Sequence, residues 1–478
     1  MQVPDRLLAA IANRFHNAGH PRGITAIFPI CPGGVADQPG VEHLAQEGLL
    51  RATIGGSYPN AADSALRRLI HEEVIDAYNF PSGLITHWLR EIGAGRPGAL
   101  SRKGLGTFVD PRMDGGRMNG RTAAGLLDIV SIAGKEHLFL PSRPIDVAII
   151  RGTTADESGN ITTERESAAA GIFVQAAAAR ASGGVVIAQV RQVVPAGTLN
   201  PHHVRVPGTL VDCVVVDPDQ LQASVLGYDP ALSGESRRLL SADTQIQEVE
   251  RQIARRAARE IAPGDVVVLG YGISAHVPHL MLEAGQFDDA TFMIEHGAIG
   301  GLPMTGFGFG NSLNPEAIVE GGSQFDLLQG GCFDRAMLSF LQVDAAGRVN
   351  VHLLNARPHL SVGIGGFLDI AAAAPRLVFV GYFTAGGLET EWNGGRLRIV
   401  REGKGRKFVR SLDNVSFDPA YAAARDIIFI TERAVLRWRD RKMRVEEVTP
   451  GVDLQRDVLG QMEFVPEIAA PELQNLIM

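Results

Sequence analysis

Cysteine, positive charge and long apolar runs are all scarce in this sequence, and each shortage removes a class of function. Only three cysteines occur in 478 residues, Cys31, Cys213 and Cys332, far apart and without Cys-x-x-Cys spacing. Neither a zinc site nor a disulfide framework is indicated, and a reducing cytoplasm is the expected setting. Lys and Arg number 45 against 53 Asp and Glu, a formal charge of −8. That balance argues against a broad nucleic-acid footprint, while a local pocket for a small anion stays compatible with it. The longest apolar runs, VVVLGYGI at 266–273 and LVDCVVVD at 210–217, are far short of the ~20 residues that span a bilayer as a helix, so no membrane span is expected. The opening MQVPDRLLAAIANRFHNAGH is amphipathic, with charges inside it, and reads as a first helix rather than a targeting signal.

Glycine, by contrast, is abundant, with 55 residues. The chain is too long for a single compact core, and two large domains are expected. Short β-branched runs, at 145–151, 183–190, 265–272 and 290–295, alternate with Ala- and Arg-rich stretches at 167–183 and 246–264. The alternation predicts two open α/β domains with mainly parallel sheets, in tandem on one chain. An internal echo supports their kinship: Asp146-x-Ala148 is followed by Asp156 and Gly159, and Asp334-x-Ala336 by Asp344 and Gly347, at the same spacing. In each copy an apolar strand runs into an Asp-x-x-Gly turn, where turn-forming Asp is at home. The polar segment at 233–250 places the boundary near residue 242, giving domains 1–242 and 243–478. The turn-rich stretch from Gly106 to Arg121 reads as a long ordered loop of the first domain.

The chemistry is expected in the second domain. A strand, ATFMI, delivers Glu295 into the glycine-rich sequence HGAIGGLPMTGFGFG, and ligands of open α/β sheets bind at the carboxyl ends of strands. Two further glycine loops, at Gly270-Tyr271-Gly272 and from Ser361 to Phe367, suggest that all three surround one site. A dinucleotide fold is not indicated, because Ala275 stands where G-x-G-x-x-G needs its third glycine. His202-His203 and His276-x-x-His279 lack metal-ligand spacing, so no metal is expected. The basic stretch Arg401 to Arg410 reads as a solvated hairpin.

These residues carry a resemblance that extends over nearly the whole chain. EGLLRATIGG, YNFPSGLITHWLREIGAGRPG, GLGTFVDPRMDGGRMN, PIDVAIIRGTTADESGNIT, EHGAIGGLP, NPEAIVEGGSQFDLLQGGCFDRAML, SVGIGGFLDI and ITERAVLRW together resemble the family I CoA-transferases, in the single-chain branch that includes propionate and acetate or 3-oxoacid CoA-transferases. The resemblance implies a ping-pong exchange of CoA between an acyl-CoA and a carboxylic acid, through a glutamyl-CoA thioester on the Glu of the Glu295-x-Gly297 motif. It further implies an oxyanion hole built from the backbone N–H groups of Gly365 and Gly366, within the loop that also holds Gly363 and Phe367. Gly270, Gly272 and the Gln329-Gly330-Gly331 region are implied to line the CoA channel, and Gly297, Gly363 and Phe367 to contact the substrate or CoA. CoA enters as substrate and no tightly bound cofactor is expected. The family points to a homodimer or homotetramer.

Two departures bear on specificity. Family members usually carry Gln after the proline of Asn-x-Pro-x-Gly, where this chain has Ser82, which leaves more room and one fewer amide donor at the substrate carboxylate. Between the catalytic Glu and Gly stands His296 rather than Ser or Asn. Extended neighbours point to opposite faces, so its ring is expected to face away from Glu295. Acyl-CoA hydrolysis on the same scaffold and catalytically silent CoA binding are the alternative readings.

Overall fold

The computed structural model describes residues 3–35, 37–169, 171–223, 226–243, 245–424 and 426–469. In the first half, two three-stranded parallel sheets form where the β-branched runs lie. One orders Ile24–Phe28, Leu50–Gly55 and Asp76–Asn79; the other places Val185–Val190 between Val147–Arg151 and Cys213–Val216. In the second half a ten-stranded sheet is built around five parallel strands, in the order Ala290–Met293, Asp265–Leu269, Arg335–Ser339, Arg376–Val380 and Asp426–Ile430. Ala434–Arg439 and Lys442–Val448 extend it antiparallel at one side. No helix among the described residues is long and apolar enough to cross a membrane.

Helices cover both faces of the large sheet, as continuous apolar parallel strands demand. On one face Glu248–Ala258 buries Val249, Ile253, Ala254 and Ala257 against Val267 and Leu269. On the other, the core continues into the first half: Trp88 and Leu84 of the helix Ser82–Gly93 belong to the same cluster as Phe325, Leu338 and Phe379. The two halves are thus welded by apolar contact rather than merely linked.

The echoed turns have the same geometry. Asp156 Oδ1 accepts the N–H groups of Ser158 and Asn160, and Asp344 Oδ1 those of Ala346 and Arg348, all at 3.0 Å. Gly159 and Gly347 close the turns at φ of 82° and 75°. The basic stretch 401–410 is only partly solvated. Arg401 pairs with Glu389 on the hairpin surface, but Lys407 turns inward, with Nζ 3.8 Å from the centre of the Phe340 ring.

Arg433 is fully buried between Glu432 and Glu402, at 2.8 Å and 2.9 Å, and donates to the Asp457 carbonyl as well. Glu432 is buried too, and without Arg433 it keeps only the Phe383 N–H and the neighbouring Lys407, which leaves it poorly compensated. Arg433→Ala is expected to cost about 3 kcal/mol of stability, read as a lower midpoint in thermal and urea melts.

Candidate active site

The strand Ala290–Met293 ends because the chain turns at once. Ile294 accepts the Gly297 N–H at 3.2 Å, leaving Glu295 and His296 as the central residues of the turn. Gly297 has φ of 110°, and a Cβ there would lie 2.3 Å from the Val319 carbonyl oxygen. The glycine of Glu-x-Gly is therefore required to let the turn lie against the neighbouring strand.

Because Glu295 and His296 occupy a turn and not an extended segment, their side chains do not diverge. His296 Nε2 lies 3.8 Å from Glu295 Oε1, which corrects the expectation that the ring faces away. Burial pushes the His296 pKa down to about 3, so the ring is a neutral neighbour of the carboxylate.

Glu295 is held in a dry setting, its side chain 19% exposed. Burial, with a smaller push from the Asp369 carboxylate, raises its pKa to about 7, against the pull of the Gly366 N–H. That N–H donates to Glu295 Oε2 at 2.8 Å. A Cβ at Gly366 would stand 2.2 Å from the same oxygen, so a larger residue displaces the carboxylate from this bond.

The glycine loop is held from the first half of the chain. Asn79, at the end of its strand, donates to the carbonyls of Gly55 and Gly56 at 2.9 Å and 2.7 Å and accepts the Ile364 N–H at 2.8 Å. The Gly365 N–H donates to the Gly56 carbonyl at 2.8 Å, so it is not free to serve as an oxyanion donor. Of the two expected donors only Gly366 faces Glu295. Gly363 packs against Asn79, and at φ of 79° it bends the loop. Asn79→Ala removes three bonds to two loops at once, and kcat is expected to fall by about 10- to 100-fold with a smaller change in KM, checked by steady-state kinetics.

Two other assignments change. Ser82 is wholly buried, and its hydroxyl donates to the Pro29 carbonyl at 2.7 Å, so it shapes the floor and offers no donor to a substrate. Phe367 lies in the core, its ring 6.2 Å from that of Phe379, because it opens a helix whose apolar face turns onto the sheet. Gly330 and Gly331 end the helix Gly321–Gly330, Gly331 as its left-handed cap. Gly270 and Gly272 leave the strand beside that of Glu295, at the same parallel edge, and nothing lies within 4 Å of the Cβ position of Gly272.

Sequence reading passed over Asp369 and placed Gln329 only in the region lining the CoA channel. Asp369 is fully buried and accepts the Gly83 N–H and Gln329 Nε2, both at 2.8 Å. Burial raises its pKa to about 6, opposed by the Gly83 and Gln329 hydrogen bonds and by the Lys103 charge. Its only trace in the sequence is an acid two residues beyond Phe367, which reads equally well as a helix-start charge. Among the described residues no group of three His, Cys, Asp or Glu side chains could hold a metal ion. His279 instead accepts the Asp243 N–H and bonds the Pro303 carbonyl, both at 2.8 Å.

A largely desolvated carboxylate just past a strand end faces a glycine-loop N–H where two α/β halves are welded together, and the comparisons with known proteins name the class. The coenzyme A transferase family model matches residues 4–217. The chain is 40% identical to caffeate CoA-transferase of Acetobacterium woodii, over 98% of this chain and 90% of that protein. It is 39% identical to acetate CoA-transferase YdiF of Escherichia coli strain K12, over 98% of this chain and 88% of that protein. The crystal structure of the YdiF apoenzyme from Escherichia coli O157:H7 superposes with a TM-score of 0.90 at 37% identity, covering 98% of this chain and 89% of that one. A thioester complex of the same acyl-CoA transferase with CoA gives 0.89, over 98% and 88%. The chain belongs to the CoA-transferases and is an enzyme that transfers CoA.

Proposed function

We propose that this enzyme moves CoA from a short-chain acyl-CoA to an acceptor such as acetate or a 3-oxoacid, with Glu295 as the nucleophile. The observation that carries the reading is the Gly366 N–H on Glu295 Oε2. The other carboxylate oxygen attacks the acyl-CoA carbonyl, expelling CoA thiolate and leaving an acyl-glutamyl anhydride. The thiolate then attacks the Glu295 carbonyl carbon, the donor acid departs as a carboxylate, and a glutamyl-CoA thioester remains. An acceptor carboxylate reverses both steps. In each attack on the Glu295 carbon, negative charge gathers on Oε2, where Gly366 already donates; one such donor is commonly worth ~10²–10³ in rate. His296, neutral and a very weak base, is a poor activator of water, which disfavours the hydrolytic alternative.

CoA is placed along the open parallel edge. The half-exposed Tyr271 between Gly270 and Gly272, packed edge-on against Phe309 at 5.7 Å, offers an aromatic surface beside that route. With this reading go a division of the chain at 242/243, a homodimeric or homotetrameric assembly, no tightly bound cofactor and a cytoplasmic setting.

Intact-protein mass spectrometry after mixing with acetyl-CoA tests the proposal. The expected product is a protein heavier by one CoA less one water, absent in Glu295→Ala and discharged by added acetate. Steady CoA release without any acid and without an adduct would instead establish hydrolysis; binding without turnover across several acyl-CoAs would establish a silent binder. The pH profile gives a second check. The nucleophile must be ionised, so kcat/KM is expected to rise with pH through about 7 and level off above it.

A further inference from the structure

With Glu295 as the nucleophile, Oε1 is the oxygen that the exchange renews. It joins the acyl carbon in the anhydride, and as the thiolate forms its bond to the Glu295 carboxyl carbon, the bond from that carbon to Oε1 breaks. The electron pair leaves with Oε1, so the donor acid departs as a carboxylate that carries this oxygen away. On the return, an oxygen of the acceptor acid takes the same place. A group beside Oε1 therefore meets the carboxylates of both acids.

Most donors of the site are already committed. The Gly366 N–H holds Oε2 at 2.8 Å, the Gly365 N–H donates to the Gly56 carbonyl at 2.8 Å, and the Ser82 hydroxyl donates to the Pro29 carbonyl at 2.7 Å. His296 Nε2, 3.8 Å from Oε1, is too far for a hydrogen bond to the resting carboxylate and so keeps its capacity. The His296 side chain is only 10% exposed and is backed by Gly310, where a Cβ would stand 2.9 Å from Nδ1 and 3.2 Å from Cε1. Nδ1 is buried without a partner. The neutral ring carries a single N–H, and the Glu295 carboxylate draws it to Nε2, since a proton on Nδ1 would be a buried donor with no acceptor. Room for an acid lies on the same side. Around the position that a Cβ would take at Gly365, the described residues other than its chain neighbours bring only Glu295 Oε1 and Oε2 within 4 Å, at 3.5 Å and 3.9 Å.

We propose that His296 is a further catalytic residue, its Nε2–H donating to the carboxylate of the departing donor acid and, on the return, to that of the incoming acceptor. Charge gathers on the departing oxygen as its bond to the Glu295 carbon breaks, and the donor already stands beside it. A neutral N–H grips a carboxylate less firmly than a guanidinium does, which suits an acid that must enter and leave in every cycle. The assignment rests on Glu295 as the nucleophile.

Discharge of the CoA adduct tests it. Wild type, His296→Leu and His296→Gln are loaded to completion with acetyl-CoA, freed of excess ester, and treated with acetate or with hydroxylamine while intact-protein mass spectrometry follows loss of the adduct. Acetate is expected to discharge His296→Leu at least about tenfold more slowly than wild type, as loss of one charge-assisted hydrogen bond implies. His296→Gln, whose Nε2 is also a donor, should recover most of the rate. Hydroxylamine attacks the thioester without bringing a carboxylate, so it should discharge all three proteins at similar rates, which a variant with a merely distorted site would not do. Equal acetate rates in wild type and His296→Leu, an equal slowing of that variant with hydroxylamine, or His296→Gln no faster than His296→Leu would each overturn the role of His296 and leave Glu295 as the nucleophile. A wild type that never forms the adduct would overturn the reading of Glu295, and this assignment with it.

Discussion

Glu295→Gln is expected to lower kcat for CoA transfer by at least about 10³-fold and, at the same time, to make the protein more stable above neutral pH. The first effect follows from removal of the nucleophile, since the amide cannot form the anhydride and no CoA adduct accumulates. The second follows from linkage. The folded enzyme raises the Glu295 pKa from its ordinary 4.5 to about 7, chiefly by burial. Between those two values the folded state retains a proton that the unfolded chain releases. The stabilising contribution is therefore present below about 4.5 and is lost as pH rises through about 7. At pH 8 the wild type holds a buried carboxylate at a cost that Gln avoids, and the variant is expected to gain roughly 1–3 kcal/mol. Thermal melts at pH 5 and pH 8 measure it: the two proteins should converge at the lower pH and separate at the higher. A variant that transfers CoA at wild-type rate would remove Glu295 from the chemistry, whatever its stability.

Gly366→Ala is expected to cost about 10²–10³ in kcat. Its Cβ would lie 2.2 Å from Glu295 Oε2 and 3.3 Å from the Phe325 ring. The ring belongs to the core, so the carboxylate or the loop must move, and either shift breaks the 2.8 Å bond that meets the developing charge. The variant also carries a signature that simple misfolding lacks. The Gly366 N–H holds the Glu295 pKa below what burial and Asp369 would otherwise impose. Weakening it should move the midpoint of the kcat/KM profile to higher pH, while the melting temperature changes little. An unshifted midpoint with full activity would show that the N–H is not used in the reaction.

The turn at 294–297 shows where sequence reasoning works and where it stops. A strand pattern ending in an acid, followed by glycines, placed Glu295 just past a strand end, because β-periodicity and the needs of turn backbone are local properties. The side-chain direction of His296 was not legible, because it depends on whether two residues continue the strand or enter the turn, and the contact of Gly297 with Val319 decides that. Gly365 and Gly366 look equivalent in the string. Only the approach of Gly56, more than 300 residues earlier, takes the N–H of one and leaves the other for Glu295.

Ser82, Phe367 and Asp369 make the same point for burial. Their motif positions suggested substrate contact for the first two and nothing particular for the third. The packing of Ser82–Gly93 against the second half turns Ser82 onto Pro29, Phe367 into the core, and Asp369 between Gly83 and Gln329. By itself the sequence determined the α/β class and the echoed Asp-x-x-Gly turns, which follow from short-range periodicity and the conformational demands of single residues, and its motifs carried the resemblance to the family. The tertiary structure alone decided which N–H groups are free and which carboxylates share a desolvated site, because hydrogen-bond partners and desolvation are set by residues far apart in the chain.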